Sequence, residues 1–137
     1  MDLTLNIKEG LGNVNFDMPV EEVCRLLGEA TSVENINNVA DEATTVLHYD
    51  ENHVTLFFEG NEPRLQCIDI CNPNCELFGK RIFNMGKKEL VSLMVEHKYW
   101  EQDMDKEEWG EERISFLDGN IDFYFNGGKL TSVIVGK

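Results

Sequence analysis

Apolar and polar residues alternate along three runs in the first half of the chain, and a period of two predicts β-strands. The runs are TTVLHYD, HVTLFFEG and RLQCIDI, at residues 44–50, 53–60 and 64–70. Before them, VEEVCRLL carries apolar residues at helical spacing and is followed by Gly28, a residue type that commonly ends helices. Asp17, just upstream, is the predicted N-cap. The first half is therefore predicted to be α-β-β-β.

The second half shows the same order of patterns. A helix is predicted after Asn84, its expected N-cap, with an apolar face that includes Leu90, Leu93 and Met94. Three β-type runs follow: ERISFL, NIDFYF and KLTSVIV. The turns between these runs contain Asp-Gly and Asn-Gly, which are strong signals for β-hairpins.

The two halves also align with each other. LGNVNFDMPVEEVCRLL (11–27) and FGKRIFNMGKKELVSLM (78–94) match without a gap at an offset of 67 residues. Identical pairs are Gly12 and Gly79, Phe16 and Phe83, Met18 and Met85, Glu22 and Glu89, and Leu26 and Leu93. TLFFEG also matches DFYFNG, and RLQCIDI matches KLTSVIV, in the same order. Three ordered matches indicate two repeats, at about 11–71 and 78–137.

A single unit of this kind cannot bury both its helix and one sheet face, whereas two units side by side can share a core. We therefore expect one α+β domain over residues 1–137. It should contain one antiparallel sheet of six or seven strands with both helices on one face, while the other face stays at least partly open. A further strand near residues 3–7 is expected to extend one edge of the sheet.

Charge narrows the classes of partner. The chain has 12 Lys and Arg against 26 Asp and Glu, a net charge of −14. Nucleic-acid binding is disfavoured because it draws on cations that neutralise phosphates, whereas a basic protein partner is favoured. No apolar run approaches the ~20 residues that a membrane helix needs. The first residues lack the pattern of a signal peptide, so we expect a cytoplasmic protein with reduced thiols.

The nonapeptide CIDICNPNC raises the question of a metal centre. Cys67 and Cys71 lie on one strand and are about 13 Å apart, too far for two ligands that each lie ~2.3 Å from one zinc ion. Cys71 and Cys75 can meet across the Asn-Pro-Asn turn. His48 and His53 flank the first hairpin turn, so an alternative hypothesis is a metal- or small-ligand-binding module that uses these histidines with Cys71 and Cys75. The leading expectation is no cofactor.

Enzyme motifs are missing from the sequence. It contains no Gly-x-Ser-x-Gly, no His-Glu-x-x-His and no phosphate-binding loop with Gly-Lys-Ser/Thr. Carboxylates are abundant, but the sequence distinguishes no pair for acid–base chemistry. We therefore expect a protein that is not an enzyme.

One segment, YWEQDMDKEEWGEE at residues 99–112, differs from its counterpart EATSVENINNVADEA at residues 29–43. Both segments are acidic, but only residues 99–112 hold tryptophan, and we expect this segment to be a loop. Acidic groups around exposed aromatic rings suit binding to a basic protein. The candidate partner-binding residues are Trp100, Glu101, Asp103, Asp105, Glu107, Glu108 and Trp109. The alternative is that both Trp rings close the helix–sheet core while the charges are solvated.

The tandem helix-plus-strands plan resembles the beta-lactamase-inhibitor-protein-like and SmpA/OmlA-like group of binding modules. The acidic composition and the helix VEEVCRLLGEA are similar to those of small bacterial immunity proteins, which neutralise a cognate toxin. These resemblances imply a binding protein without a catalytic centre. They imply an inhibitor, monomeric or homodimeric, that neutralises a basic protein toxin such as a nuclease.

Overall fold

The computed structural model describes residues 1–37 and 43–137, which form two helices and two sheets. The helices are α1 (Val20–Leu27) and α2 (Lys87–Glu96). The strands are β1 (Thr4–Asn6), β2 (Gly10–Leu11), β3 (Val14–Asn15), β4 (Ser32–Asn37), β5 (Ala43–Tyr49), β6 (Val54–Glu59), β7 (Arg64–Ile70), β8 (Glu76–Leu77), β9 (Lys80–Arg81), β10 (Gln102–Lys106), β11 (Glu111–Phe116), β12 (Ile121–Asn126) and β13 (Lys129–Gly136). Short 3₁₀ turns cover Asp50–Asn52 and Ile82–Asn84.

The main sheet has eight antiparallel strands in the order β10-β11-β12-β13-β7-β6-β5-β4. Strands from the two halves of the chain meet at its centre, where β7 pairs with β13. The α+β class and the large antiparallel sheet are therefore confirmed. The expected strand number is wrong, because β4 and β10 add one strand at each edge.

The N-terminal strand does not extend the main sheet, which corrects the expectation for residues 3–7. Instead, β1 lies in a smaller sheet ordered β3-β2-β1-β8-β9, where it pairs antiparallel with β2 and parallel with β8. Leu5 and Leu11 from this sheet are buried in the one hydrophobic core that both sheets and both helices share. Gly10 is required here, because a Cβ at this position would lie 2.0 Å from the carbonyl oxygen of Val14.

The two faces of the main sheet differ sharply. On one face, residues such as Leu56, Phe58 and Ile68 are fully buried and share one core with residues from both helices. The helix residues in this core are Val23, Leu90, Leu93 and Met94. Alternation along each strand turns the intervening residues to the opposite face. There, side chains such as Phe57 and Asp69 are partly exposed.

The helix ends match the expectation in one case and differ in two. Gly28 ends α1 with a φ of 83°, as predicted. Asp17 and Asn84 do not cap the helices, because Pro19 and Gly86 occupy the N-cap positions without side-chain hydrogen bonds. The backbone N–H of Asp17 instead donates to the carbonyl oxygen of β7 residue Leu65 (2.9 Å), which delays the start of α1. Asn84 belongs to the 3₁₀ turn that precedes α2.

Both halves of the main sheet contain a break in strand register. One lies between Phe57 and Phe58, where β6 pairs with β7. The other lies between Tyr124 and Phe125, where β12 pairs with β13. Both breaks therefore lie in the last hairpin of their half of the chain.

Candidate protein-interaction surface

Residues 99–112, the edge segment, contain a strand rather than the expected loop. Strand β10 pairs with β11 and forms one edge of the main sheet, and all five of its residues are exposed. Both of its faces therefore meet water, which explains why its sequence, QDMDK, shows no alternation of apolar and polar residues. The structure thus presents this segment as an ordered edge with a defined register.

Both tryptophans of the edge segment are largely exposed. Trp100 precedes β10 and is 63% exposed, while Trp109 follows β10 and is 70% exposed. The indole N–H of Trp100 donates to the carbonyl oxygen of Val95 at 3.2 Å, and that of Trp109 donates to the Glu111 carboxylate at 3.3 Å. The alternative in which both Trp rings close the core is therefore wrong. Each end of the acidic strand carries a wide aromatic surface.

The acids of the edge segment fall into two groups. The Asp103 carboxylate accepts a hydrogen bond from the Arg113 guanidinium at 3.3 Å, and the Glu112 carboxylate accepts one from the Lys87 ammonium at 2.5 Å. The bond from Lys87 lowers the pKa of Glu112 below its usual value. The other candidate acids have no side-chain ion pair within the described parts of the chain; they are Glu101, Asp105, Glu107 and Glu108.

The face of the main sheet that points away from the helices, the open face, adds more acids. Strand pairing and alternation place on it Glu34, Glu59, Asp69, Asp103, Asp105, Glu111 and Asp122. Ile134 lies in register with Asp122 on one side and with Asp69 on the other. Sequence analysis missed this surface because its acids come from separate strands. The signal in the sequence was the polar residue that alternates with each buried apolar residue along these strands.

The open face has a negative electrostatic environment. Burial raises the pKa of the Cys67 thiol to about 11, and the neighbouring carboxylates of Asp69, Asp122 and Glu59 contribute to this rise. Burial also raises the pKa of Tyr124, with Asp122 contributing next. Both raised pKa values indicate that this face disfavours an additional negative charge. The same environment favours a cationic group brought by a partner.

A shallow depression joins the open face to the edge segment. It has a volume of about 280 Å³ and is lined by Asp105, Glu107, Glu111, Arg113 and Tyr124. Three carboxylates, one guanidinium and a phenol therefore surround a space of side-chain size, and the charge of the lining is negative overall. Such a lining suits the head of a lysine or arginine side chain.

Of the four residues in the alternative metal hypothesis, only His53 and Cys71 line a common depression. The Nε2 atom of His48 lies 2.5 Å from the Glu34 carboxylate, and Cys75 is completely buried. Cys71 is exposed, and its backbone N–H donates to the carbonyl oxygen of His53. Across residues 1–37 and 43–137, no three His, Cys, Asp or Glu side chains are arranged to hold a metal ion. All four cysteines are free thiols.

The acidic segment of the first half, residues 29–43, is described only in part. Its strand β4 forms the other edge of the main sheet. Asp41 and Glu42 lie outside the described residues.

Among the residues that the structure covers, no helix combines the length and apolar character needed to cross a membrane.

Comparison with known proteins gives a fold and no family. No protein-family model matches the chain, and no curated protein matches it. The crystal structure of the uncharacterized protein yfeY from Escherichia coli is similar, with a TM-score of 0.61 over the whole of both chains. The two sequences are 10% identical, so the similarity shows a shared fold alone.

Proposed function

We propose that this is a non-enzymatic, cytoplasmic binding protein that engages a basic protein through its edge segment and open face. The observation that carries the proposal is the exposure of Trp100 and Trp109 at the two ends of an exposed acidic strand. Aromatic rings supply most of the contact energy in many protein interfaces, whereas surrounding charges select the partner and speed its approach. The net charge of −14 extends this attraction beyond the contact itself.

The narrower proposal is an immunity-type inhibitor that neutralises a basic protein toxin, such as a nuclease. A nuclease binds phosphates through cationic side chains, so its substrate site attracts an acidic surface. The acids of the open face, including Asp69 and Asp122, offer charges of the required sign across several strands. An inhibitor bound there would exclude the substrate by occupying the same cationic groups.

We also infer that the two halves of the chain are copies of one duplicated α-β-β-β unit. The 67-residue offset relates Phe57 to Tyr124 and Phe58 to Phe125. These are the two positions at which the strand register breaks. A shared irregularity supports common descent better than shared strands do, because a bulge is a specific local feature. In this proposal, the second copy acquired recognition, since it carries both tryptophans.

The test is to capture partners from the source cells with the tagged protein at low salt and elute them with rising salt. The key variant combines Asp103→Asn, Asp105→Asn, Glu107→Gln and Glu108→Gln. A control variant makes the same change in net charge at four other exposed acids, namely Glu9, Glu29, Glu51 and Glu62.

We expect a basic protein to elute with salt from the wild type and from the control variant. The key variant should capture far less of it, because the steering charges next to the aromatic anchors are gone. Equal capture by the two variants would show that the edge segment is not the binding surface. Absence of any basic partner would remove the proposed function.

A further inference from the structure

Strand β10 offers one row of backbone groups to a partner. The N–H of Leu117 donates to the carbonyl oxygen of Glu101 at 2.8 Å, and the N–H of Glu107 donates to that of Glu111 at 2.7 Å. In an antiparallel pair, bonding alternates along the strand, so residues 103 and 105 also bond to β11. The N–H and C=O groups of residues 102, 104 and 106 therefore point away from the sheet. Strand β10 is the end of the strand order, so this row faces solvent.

We propose that this row binds an extended basic segment of the partner, which adds to the main sheet as a further strand beside β10. The inference rests on the proposed function and specifies how the partner binds. Strand addition to an open edge is an established mode of peptide recognition, in which main-chain bonds give affinity and alternating side chains give specificity. The outward N–H and C=O groups of residues 102, 104 and 106 are available to form these main-chain bonds.

The charge pattern determines the chemistry of the added strand. Asp103 and Asp105 project onto the open face, where a neighbouring strand would place its own alternate side chains. Opposite charges across strands are stabilising, so these partner residues should be lysine or arginine. A cationic group beside Asp105 would also reach the depression lined by Glu107 and Glu111.

The other face of β10 determines the alternate residues of the partner segment. Met104 projects there, is 56% exposed and pairs with buried Ile114. Apolar partner residues beside Met104 would extend the core outwards. The recognised segment therefore alternates basic and apolar residues. A second copy of this chain fits poorly, because its own Asp103 and Asp105 would approach the same carboxylates.

Among the described residues, the open face beside β10 also contains one buried hydroxyl whose hydrogen-bonding capacity is unused. Ser115 is buried, lies in register with Asp103 and Asp122, and therefore belongs to the open face. Within the described chain, its hydroxyl oxygen has no hydrogen-bond partner. A buried polar atom without a partner is rare and destabilising. A polar or cationic side chain that a partner lays across β10 towards this position could form a hydrogen bond with it.

The test uses the full-length protein and the synthetic peptide acetyl-Lys-Val-Lys-Val-Lys-Val-Lys-amide. In an antiparallel pairing, as in the rest of the main sheet, valines opposite Met104 would direct their N–H groups at β10, whereas the lysine N–H groups would point away. Methylation of the valine nitrogens should therefore weaken binding about tenfold or more, since up to three bonds of about 1 kcal/mol each are lost. Methylation of the inner lysine nitrogens is the matched control and should leave affinity within about threefold.

Amide hydrogen exchange gives a second readout. Saturating peptide should slow exchange at Gln102, Met104 and Lys106, whose N–H groups point outwards. The amides of Asp103 and Asp105 already bond to β11 and should change little. Replacement of Met104 by proline removes one outward N–H without removing a bond to β11. Met104→Thr also changes the side chain but keeps this N–H, so Met104→Pro should bind the peptide about fivefold more weakly than Met104→Thr does.

Two results would overturn strand addition. One is failure of the peptide to bind. The other is binding that is indifferent to valine methylation and leaves the outward amides unprotected, which is attraction by charge alone. The proposed function is tested separately, by whether capture of the basic partner depends on the four acids of the edge segment.

Discussion

Ile68 of β7 lies directly opposite Val135 of β13 at the centre of the main sheet, and the two side chains are 0% and 1% exposed. The next pair on the same face joins Ile70 and Val133, which are also buried. These pairs belong to the core that receives both helices. The two halves of the chain therefore share one hydrophobic interior across this seam.

Truncation at the seam should destabilise the whole fold. We expect Ile68→Ala to lower the free energy of unfolding by about 2–5 kcal/mol, because it leaves a cavity that close neighbours cannot fill. Ile134→Ala, on the partly exposed open face, is the matched control and should lose about 1 kcal/mol or less. Urea unfolding followed by circular dichroism measures both. Equal losses at the two positions would contradict the assignment of the faces.

Sequence patterns predicted the elements that have one buried and one wet face. The strands β5, β6 and β7, and their counterparts β11, β12 and β13, follow the predicted runs closely. The edge strands β4 and β10 gave no signal, because little or none of their surface is buried. The two-residue strands of the small sheet are too short to show any period. Neither N-cap was predicted correctly, because tertiary pairing at Asp17 outweighs its local preference for capping and Asn84 belongs to the 3₁₀ turn before α2.

The candidate surface was predicted only in part. The tryptophans and acids of residues 99–112 are adjacent in sequence, so composition alone identified them. The sequence did not show which acids are already paired, such as Glu112 with Lys87, because the partners lie 25 residues apart. The open face was not predicted either, since Asp69 and Asp122 become neighbours only after β7 and β12 flank β13.

The exposed tryptophans should matter for binding and not for folding. We expect Trp100→Ala and Trp109→Ala to change the free energy of unfolding by about 0.5 kcal/mol or less, because both rings are mostly in water. Each change should weaken capture of the basic partner, since a large aromatic contact is lost. Phe58→Ala, in the core, is the positive control and should lose about 3–5 kcal/mol. A loss of several kcal/mol for either tryptophan would place its ring in the core.

The cysteines should react in an order set by exposure and pKa. Cys71 is exposed, and partial burial and the neighbouring Asp69 raise its pKa. Burial raises the pKa of Cys67 to about 11 and that of completely buried Cys75 to about 12. At pH 8, about one Cys67 thiol in a thousand is then a thiolate, the form that reacts with iodoacetamide. We expect peptide mapping by mass spectrometry to find Cys71 modified first. Earlier modification of Cys67 or Cys75 would contradict the structure.

The acids at positions 69 and 112 should respond to pH in opposite directions. Burial is the main cause of the raised pKa of Asp69, so its ionisation opposes folding. Its stabilising contribution is present below the ordinary value of 3.8 and is lost as pH rises through the higher folded pKa. Asp69→Asn removes this penalty. It should therefore stabilise the protein more near pH 7 than near pH 3.

Glu112→Gln is the matched comparison, because the pKa of Glu112 is lowered, chiefly by its hydrogen bond from Lys87. Its contribution is present above the ordinary value of 4.5 and is lost as pH falls through the lower folded pKa. This change should therefore destabilise the protein more near pH 7 than near pH 3. Urea unfolding of both variants at the two pH values measures the difference. A pH dependence of the same sign in both would contradict the environments assigned to the two acids.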